Sequence, residues 1–270
     1  MAARTDSVWL GSARKPVKFI MWASACGTCI LAIWLALGTL FLGSDTNMKQ
    51  FLAPGDAPAV LWTLVLAAVA LLSASIYMSD RRGVIEPAPS GFFDIVSLVC
   101  ARLSMLATAG IVLVMFLEVV SRYVFEKPTL WANELSLWIA GFVFLFSGLY
   151  AMQQRSHIRI FIIYDLFPRW LQKLSDILSV LLIWAFTLLL IWGGYNEAVA
   201  KFFRWETFGT AWDPPIPATI KPAILIIVLL VAVQALSNLL ADWNKQPEVH
   251  LPVDDIDAHE IELIRKNIGD

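Results

Sequence analysis

Apolar residues gather in six long blocks separated by short polar segments. Four blocks carry no charge at all: Phe19–Leu42, Ala57–Ser79, Ile177–Asn196 and Pro222–Ala241. Two more are nearly as apolar but hold ionisable groups, Ile95–Tyr123 with Arg102 and Glu118, and Trp131–Met152 with Glu134. A helix that crosses the hydrocarbon core, about 30 Å thick, needs about 20 mostly apolar residues. The pattern therefore predicts an all-α fold, a polytopic membrane helix bundle of six transmembrane helices. The first block follows Arg14, Lys15 and Lys18 as a signal peptide would. Its apolar run is about twice a typical signal core, however, and no small-x-small cleavage site follows it, so it is expected to stay as a span.

Composition agrees with this. The 270 residues are 59% hydrophobic and 16% charged, against about 45–50% and 25% in soluble domains, and the mean hydropathy is +0.69. A net charge of -2 excludes a nucleic-acid binder, and three cysteines exclude a disulfide framework. Lysine and arginine set the orientation. With the N-terminus inside, thirteen fall on inner segments (among them Arg81, Arg82, Arg155, Arg159, Arg169 and Lys173) and six on outer ones, Lys49, Arg122, Lys127, Lys201, Arg204 and Lys221. Both termini are expected in the cytoplasm. Trp22, Trp62, Trp131, Trp170 and Trp243 lie near the expected helix ends, where an amphipathic ring prefers the interface.

The Pro-rich stretch Asp80–Gly91 reads as a linker, which divides the chain into 1–91, with two spans, and 92–243, with four. Residues 244–270 form an acidic tail expected in the cytoplasm. Pro168 fits the first position of a helix. After it, Arg169, Gln172, Lys173 and Asp176 share one face while Trp170, Leu171, Leu174 and Ile177 share the other. This segment is expected to lie in the interface before the chain turns into the fifth span, with Arg169 and Lys173 towards lipid phosphates. The alternative is a straight extension of that span.

Charges inside a bilayer are costly and call for a reason. Glu118 and Arg122 stand in the favourable i,i+4 order and can pair with each other; the pair serves either the structure or a transported solute. Glu134 opens the fourth span, where the helix dipole favours an acid, and shares a stripe with Trp131 and Trp138. That stripe is either a docking surface or a dipole-complementing acid between two interfacial indoles. Gly141 and Gly148 suggest close helix packing. Cys26-Gly-Thr-Cys29 lies inside a span without a nearby histidine, and packing is the expected role of both thiols. His157, His250 and His259 all fall outside the spans, so no haem, metal or other cofactor is expected. Nor is an enzyme, because the chain has no phosphate loop and no Ser/His pair suited to intramembrane proteolysis.

Several stretches are more specific. Glu118-Val-Val-Ser-Arg122-Tyr-Val-Phe125, Trp131-Ala-Asn-Glu134-Leu, Gly148, His157-Ile-Arg159-Ile160, the run Trp205–Pro215 and Ile220-Lys-Pro222 follow one another within the last four spans. In this order they resemble the small, DctQ-type membrane subunit of tripartite ATP-independent periplasmic (TRAP) transporters, over residues 92–243. The chain departs from that pattern at Phe161, where members often carry an acid, and in its two additional N-terminal spans. The resemblance implies an inner-membrane transporter of three parts. A periplasmic binding protein delivers an organic acid or related solute, a large membrane subunit moves it with sodium as an elevator, and the small subunit braces the large one. It also implies that Glu118, Arg122, Trp131, Glu134, Trp138, His157 and Arg159 hold the subunit fold or its interfaces. The loops Phe125–Leu130 and Lys201–Ala218 would then face the binding protein. An autonomous small transporter and a membrane anchor of a redox complex are the rival readings.

Overall fold

A computed structural model of the chain describes residues 7–43, 46–81, 89, 91–155, 164 and 167–243. Six long helices run through it: α1 (Arg14–Phe41), α2 (Pro58–Ser79), α3 (Phe92–Tyr123), α4 (Ala132–Gln153), α5 (Arg169–Phe203) and α6 (Ile216–Asp242). Each is long and apolar enough to cross a membrane. The described residues contain no strand. The fold is thus an all-α polytopic bundle. The acidic tail 244–270, His157, Arg159 and Phe161 lie outside the described residues.

The helices form a row: α1 packs on α2, α2 on α3, α3 on α4, α4 on α6, and α6 on α5. In the most apolar stretch of α6, the best enclosed helix, 28% of residues are buried, and in α5 only 6% are. Most of the apolar surface therefore points outward, which suits a solvent of lipid tails and not water. Where helices do meet, small residues let them approach, since close packing and not a hydrophobic drive holds spans together in lipid. A Cβ on Gly141 of α4 would stand 2.8 Å from Ile220 Cδ1 of α6, and one on Gly27 of α1 would stand 3.0 Å from Leu66 Cδ1 of α2. Gly148 does not belong to this packing, for nothing lies within 4 Å of its added Cβ.

The helices differ from expectation in three places, two of them at helix starts and one inside α1. The amphipathic segment Arg169–Asp176 is not a separate surface helix but the opening of α5, which runs unbroken for 35 residues. At about 1.5 Å per residue this is about 52 Å, well beyond the hydrocarbon core, so its charged turns can stay helical outside it. The last span begins at Ile216, six residues before Pro222. Pro217 suits the first turn, and Pro222 forfeits only one backbone bond, to the carbonyl of Ala218. Cys26 and Cys29 are exposed and do not pack within the chain; Ser24 and Gly27 face α2 in their place.

Candidate functional site

Two polar girdles close the bundle, one at each end. At the end that holds the starts of α1, α3 and α5, Asp80 follows the last residue of α2 and is fully buried. Its Oδ1 accepts from the amides of Val8, Trp9 and Leu10 at 2.9–3.0 Å and from the Ser7 hydroxyl at 2.8 Å. Arg14 donates to Oδ2 at 2.9 Å. Amides that would otherwise be orphans before α1 thus converge on one carboxylate. Burial raises the Asp80 pKa, but the amides of Leu10 and Trp9, the Ser7 hydroxyl and the Arg14 charge outweigh it and hold the group below the usual aspartate range. A residue expected in a linker instead closes the α1–α2 hairpin.

Beside it, a buried network joins α3, α4 and α6. Gln234 donates to Asp94 at 2.7 Å and to Asn238 at 3.0 Å, and accepts from Ser97 at 3.2 Å. Asn238 in turn donates to the Met152 carbonyl at 2.7 Å. Arg155, in the left-handed conformation just past α4, pairs with Asp242 at the end of α6. Further along the same end, Lys173 lies 4.7 Å over the Trp243 ring, a cation–π contact. Arg169 donates to Gln172 at 3.3 Å, and Gln172 itself binds the carbonyls of Tyr164 and Phe167.

At the opposite end, the Glu118–Arg122 pair forms as its spacing predicts, with Arg122 Nε and Nη2 at 2.9 and 2.6 Å from Oε1. The second oxygen has a use that spacing alone does not reveal. It accepts from the Thr129 amide at 2.9 Å and from the Thr129 hydroxyl. Glu118 therefore ties the α3–α4 turn to α3, and both of its oxygens are committed within the chain. Glu126 in that turn takes a left-handed φ of 55°.

The stripe Trp131–Glu134–Trp138 is covered by the chain's own loop between α5 and α6. Glu134 accepts from the Thr210 hydroxyl at 2.7 Å and the Asp213 amide at 3.2 Å. Trp138 donates to Thr219 at 2.8 Å and meets the Trp212 ring edge-on at 6.5 Å. Trp131 caps the start of α4 and is half-buried. Trp212 then reaches across to the N-terminal part of the chain, its indole N–H donating to the Met48 carbonyl at 2.9 Å.

The loop is also stiffened from within. Trp205 adopts a left-handed φ of 48° after α5, and the bonds Trp205 N to Phe202 O and Glu206 N to Lys201 O complete a Schellman turn. Lys201 pairs with Glu206, and Lys221 with Glu197. The Lys201 hydrogen bond holds the Glu206 carboxyl below its usual range; the Gly209 amide and the Thr207 hydroxyl do the same for Asp213. Among the described residues no group of three or more His, Cys, Asp or Glu could hold a metal ion.

Sequence reasoning missed Asp80, Thr129, the Gln234 network and the Trp212–Met48 tie. Only the network had a local signal, since Gln234 and Asn238 are four apart in an otherwise apolar span.

The family described as "Tripartite ATP-independent periplasmic transporters, DctQ component" matches residues 111–245, from the middle of α3 to just past α6. The C4-dicarboxylate TRAP transporter small permease protein DctQ of Vibrio cholerae serotype O1 (strain ATCC 39315 / El Tor Inaba N16961) is 28% identical over 142 residues. Those residues are 50% of this chain and 51% of that relative, so the likeness spans about half of each. No solved structure matches. The matched residues take in the second half of α3 and all of α4 to α6, and by that match the chain belongs to the DctQ family of TRAP transporter components.

Proposed function

We propose that the chain is the fixed scaffold of a TRAP transporter in a bacterial inner membrane, with both termini in the cytoplasm. In this reading a large membrane subunit moves an organic acid or related solute with sodium, as an elevator, and a periplasmic protein delivers the solute. The observation that carries the reading is the commitment of the in-span acids. Glu118 gives its oxygens to Arg122 and Thr129, and Glu134 binds Thr210 and Asp213. Carboxylates locked to their own chain suit a brace; a transport path needs groups that exchange partners with a solute or ion. Residues 92–243 form the scaffold unit proper, and residues 1–91 widen it.

The outward apolar faces leave room for a large partner within the membrane. Exposed Phe125, Leu130, Phe203, Trp205 and Phe208 crowd the end formed by the α3–α4 and α5–α6 loops. On the orientation set by lysine and arginine this is the periplasmic end, where the binding protein docks. The test is to purify the tagged chain from native membranes in mild detergent and identify what accompanies it by mass spectrometry. A larger polytopic protein at near-equal amount is expected. Recovery of this chain alone, stable and monodisperse, overturns the scaffold reading and favours an autonomous transporter.

A further inference from the structure

Between α3 and α4 a cleft of about 220 Å³ is lined by Ala101, Arg102, Ser104, Met105, Thr108, Ser147 and Tyr150. A guanidinium and several hydroxyls are costly on the lipid-facing side of two spans unless something polar meets them. Ser104 sharpens the point. It is 5% exposed, it lines the cleft, and its hydroxyl has no hydrogen-bond partner. In a helix a serine hydroxyl usually bonds back to the preceding turn, as Ser73, Ser75 and Ser179 do here. Ser104 departs from that habit, and its hydroxyl is enclosed beside the cleft without a partner. Thr108 bonds back to the Ser104 carbonyl, which leaves its oxygen able to accept. Arg102 donates to the Met105 sulfur at 3.5 Å and brings a fixed positive charge to the cleft.

Depth tells what the visitor is. α4 spans 22 residues, about 33 Å at about 1.5 Å per residue, close to the hydrocarbon thickness. Tyr150 is three residues from its end, so the cleft opens about 5 Å below the headgroups. Arg102 lies ten residues into α3, within reach of the same level by snorkelling. Beyond the cleft towards mid-membrane, the exposed large side chains are apolar: Val112, Leu113, Phe116 and Leu117 on α3, and Phe144 on α4. A cation and hydroxyl donors at headgroup depth, continued by an apolar track, match an anionic phospholipid in both of its halves. We propose that the α3–α4 cleft is a binding site for one anionic phospholipid, its phosphate at Arg102 and Ser104 and an acyl chain along the track. The inference needs only that the chain sits in a membrane, and does not depend on the proposed scaffold role.

The test uses the full chain, purified in mild detergent with its endogenous lipid exchanged out. Thermal unfolding is then followed with mixed micelles of phosphatidylglycerol, with phosphatidylcholine and with inorganic phosphate alone, and lipid retained after repurification is counted by mass spectrometry. Phosphatidylglycerol is expected to raise the midpoint and to be retained at about one per chain. In Arg102→Gln its retention should fall about fivefold, as one cation near an anionic surface commands. Ser104→Leu keeps the charge, fills the cleft and should abolish the selective retention, so the site stays testable if Arg102→Gln folds poorly. Lys127→Gln, at the opposite end, should leave retention unchanged. Equal retention of the two lipids by the unaltered chain overturns the proposal, as does retention indifferent to both cleft variants. An equal shift with inorganic phosphate alone reassigns the cleft to a free anion. With the three native cysteines replaced by alanine, retention lost together with protection of Met105→Cys from a thiol reagent by a co-purified protein overturns the lipid assignment in favour of a partner subunit.

Discussion

Glu118→Gln keeps the size of the side chain and removes the charge that four donors on Arg122 and Thr129 share. Charge-assisted bonds are about twice as strong as neutral ones, so this variant should lower the unfolding midpoint in detergent more than any other change in the cluster. Thr129→Val removes one donor, leaves the amide in place and should cost less. Arg122 is half exposed, water or headgroups can replace it, and Arg122→Gln should cost least. An Arg122 variant as damaging as Glu118→Gln would mean that the ion pair, and not the closure of the turn, is what stabilises this corner. Asp80 gives a second test, with a sign set by linkage. Its folded pKa lies below the unfolded one, so its contribution is fully present above the unfolded value of about 4 and is lost as pH falls through the lower folded value. Stability measured from neutral pH downward should hold to about pH 4 and then decline, more steeply in the unaltered chain than in Asp80→Asn. Asp80→Ala at neutral pH removes a cap to three amides and should cost about 1–2 kcal/mol.

At the scale of elements, the close approach of α4 and α6 depends on one missing methyl. Gly141→Leu must displace Ile220, and overpacking of this kind costs about 1–3 kcal/mol; Gly148→Leu, with open space around it, should cost little. The comparison is read from unfolding midpoints of the two variants. Gln234 sets a different constraint, because three side chains from two helices meet its amide. Hydrogen bonds within membranes average about 0.6 kcal/mol, so Gln234→Leu should cost about 2 kcal/mol. Gln234→Glu, though nearly isosteric, should cost more, since it sets a second carboxyl against Asp94 and one of the two must take a proton. The sequence reveals the spans for the same reason that it hides this network. Burial in lipid imposes a requirement on every residue of a span, and the charge-free windows display it directly. Asn238 is four residues from Gln234 and hints at the network, but the partners of Gln234 on α3 are 137 and 140 residues away, and nothing local marks them. Glu118 and Arg122 lie between these cases: their spacing shows the pair, but Thr129 enters only once the turn is folded.

For the whole molecule, the question is whether residues 1–91 are an appendage or a working part of the bundle. They are held along α2 and at the loop between α1 and α2. α2 packs along α3, and at the far end the Trp212 indole bonds to the Met48 carbonyl across 164 residues. Trp212 also contacts Trp138, beside the loop that covers Glu134. A displacement of the N-terminal hairpin would thus be felt at the end where exposed aromatics gather. Trp212→Phe breaks this tie: it keeps a ring against Trp138 but removes the N–H together with part of the buried indole. A single neutral hydrogen bond contributes about 0.5–1.5 kcal/mol. If trypsin cuts after Lys49 through local opening of the loop, cleavage should then run about 2- to 12-fold faster in Trp212→Phe, with the six helices still in place by circular dichroism. Asp80→Ala, which loosens the other end of the same hairpin, should leave that cleavage rate unchanged if the two ties act separately. Equal acceleration by both variants would mean that the hairpin moves as one rigid piece and that its two anchors hold a single equilibrium.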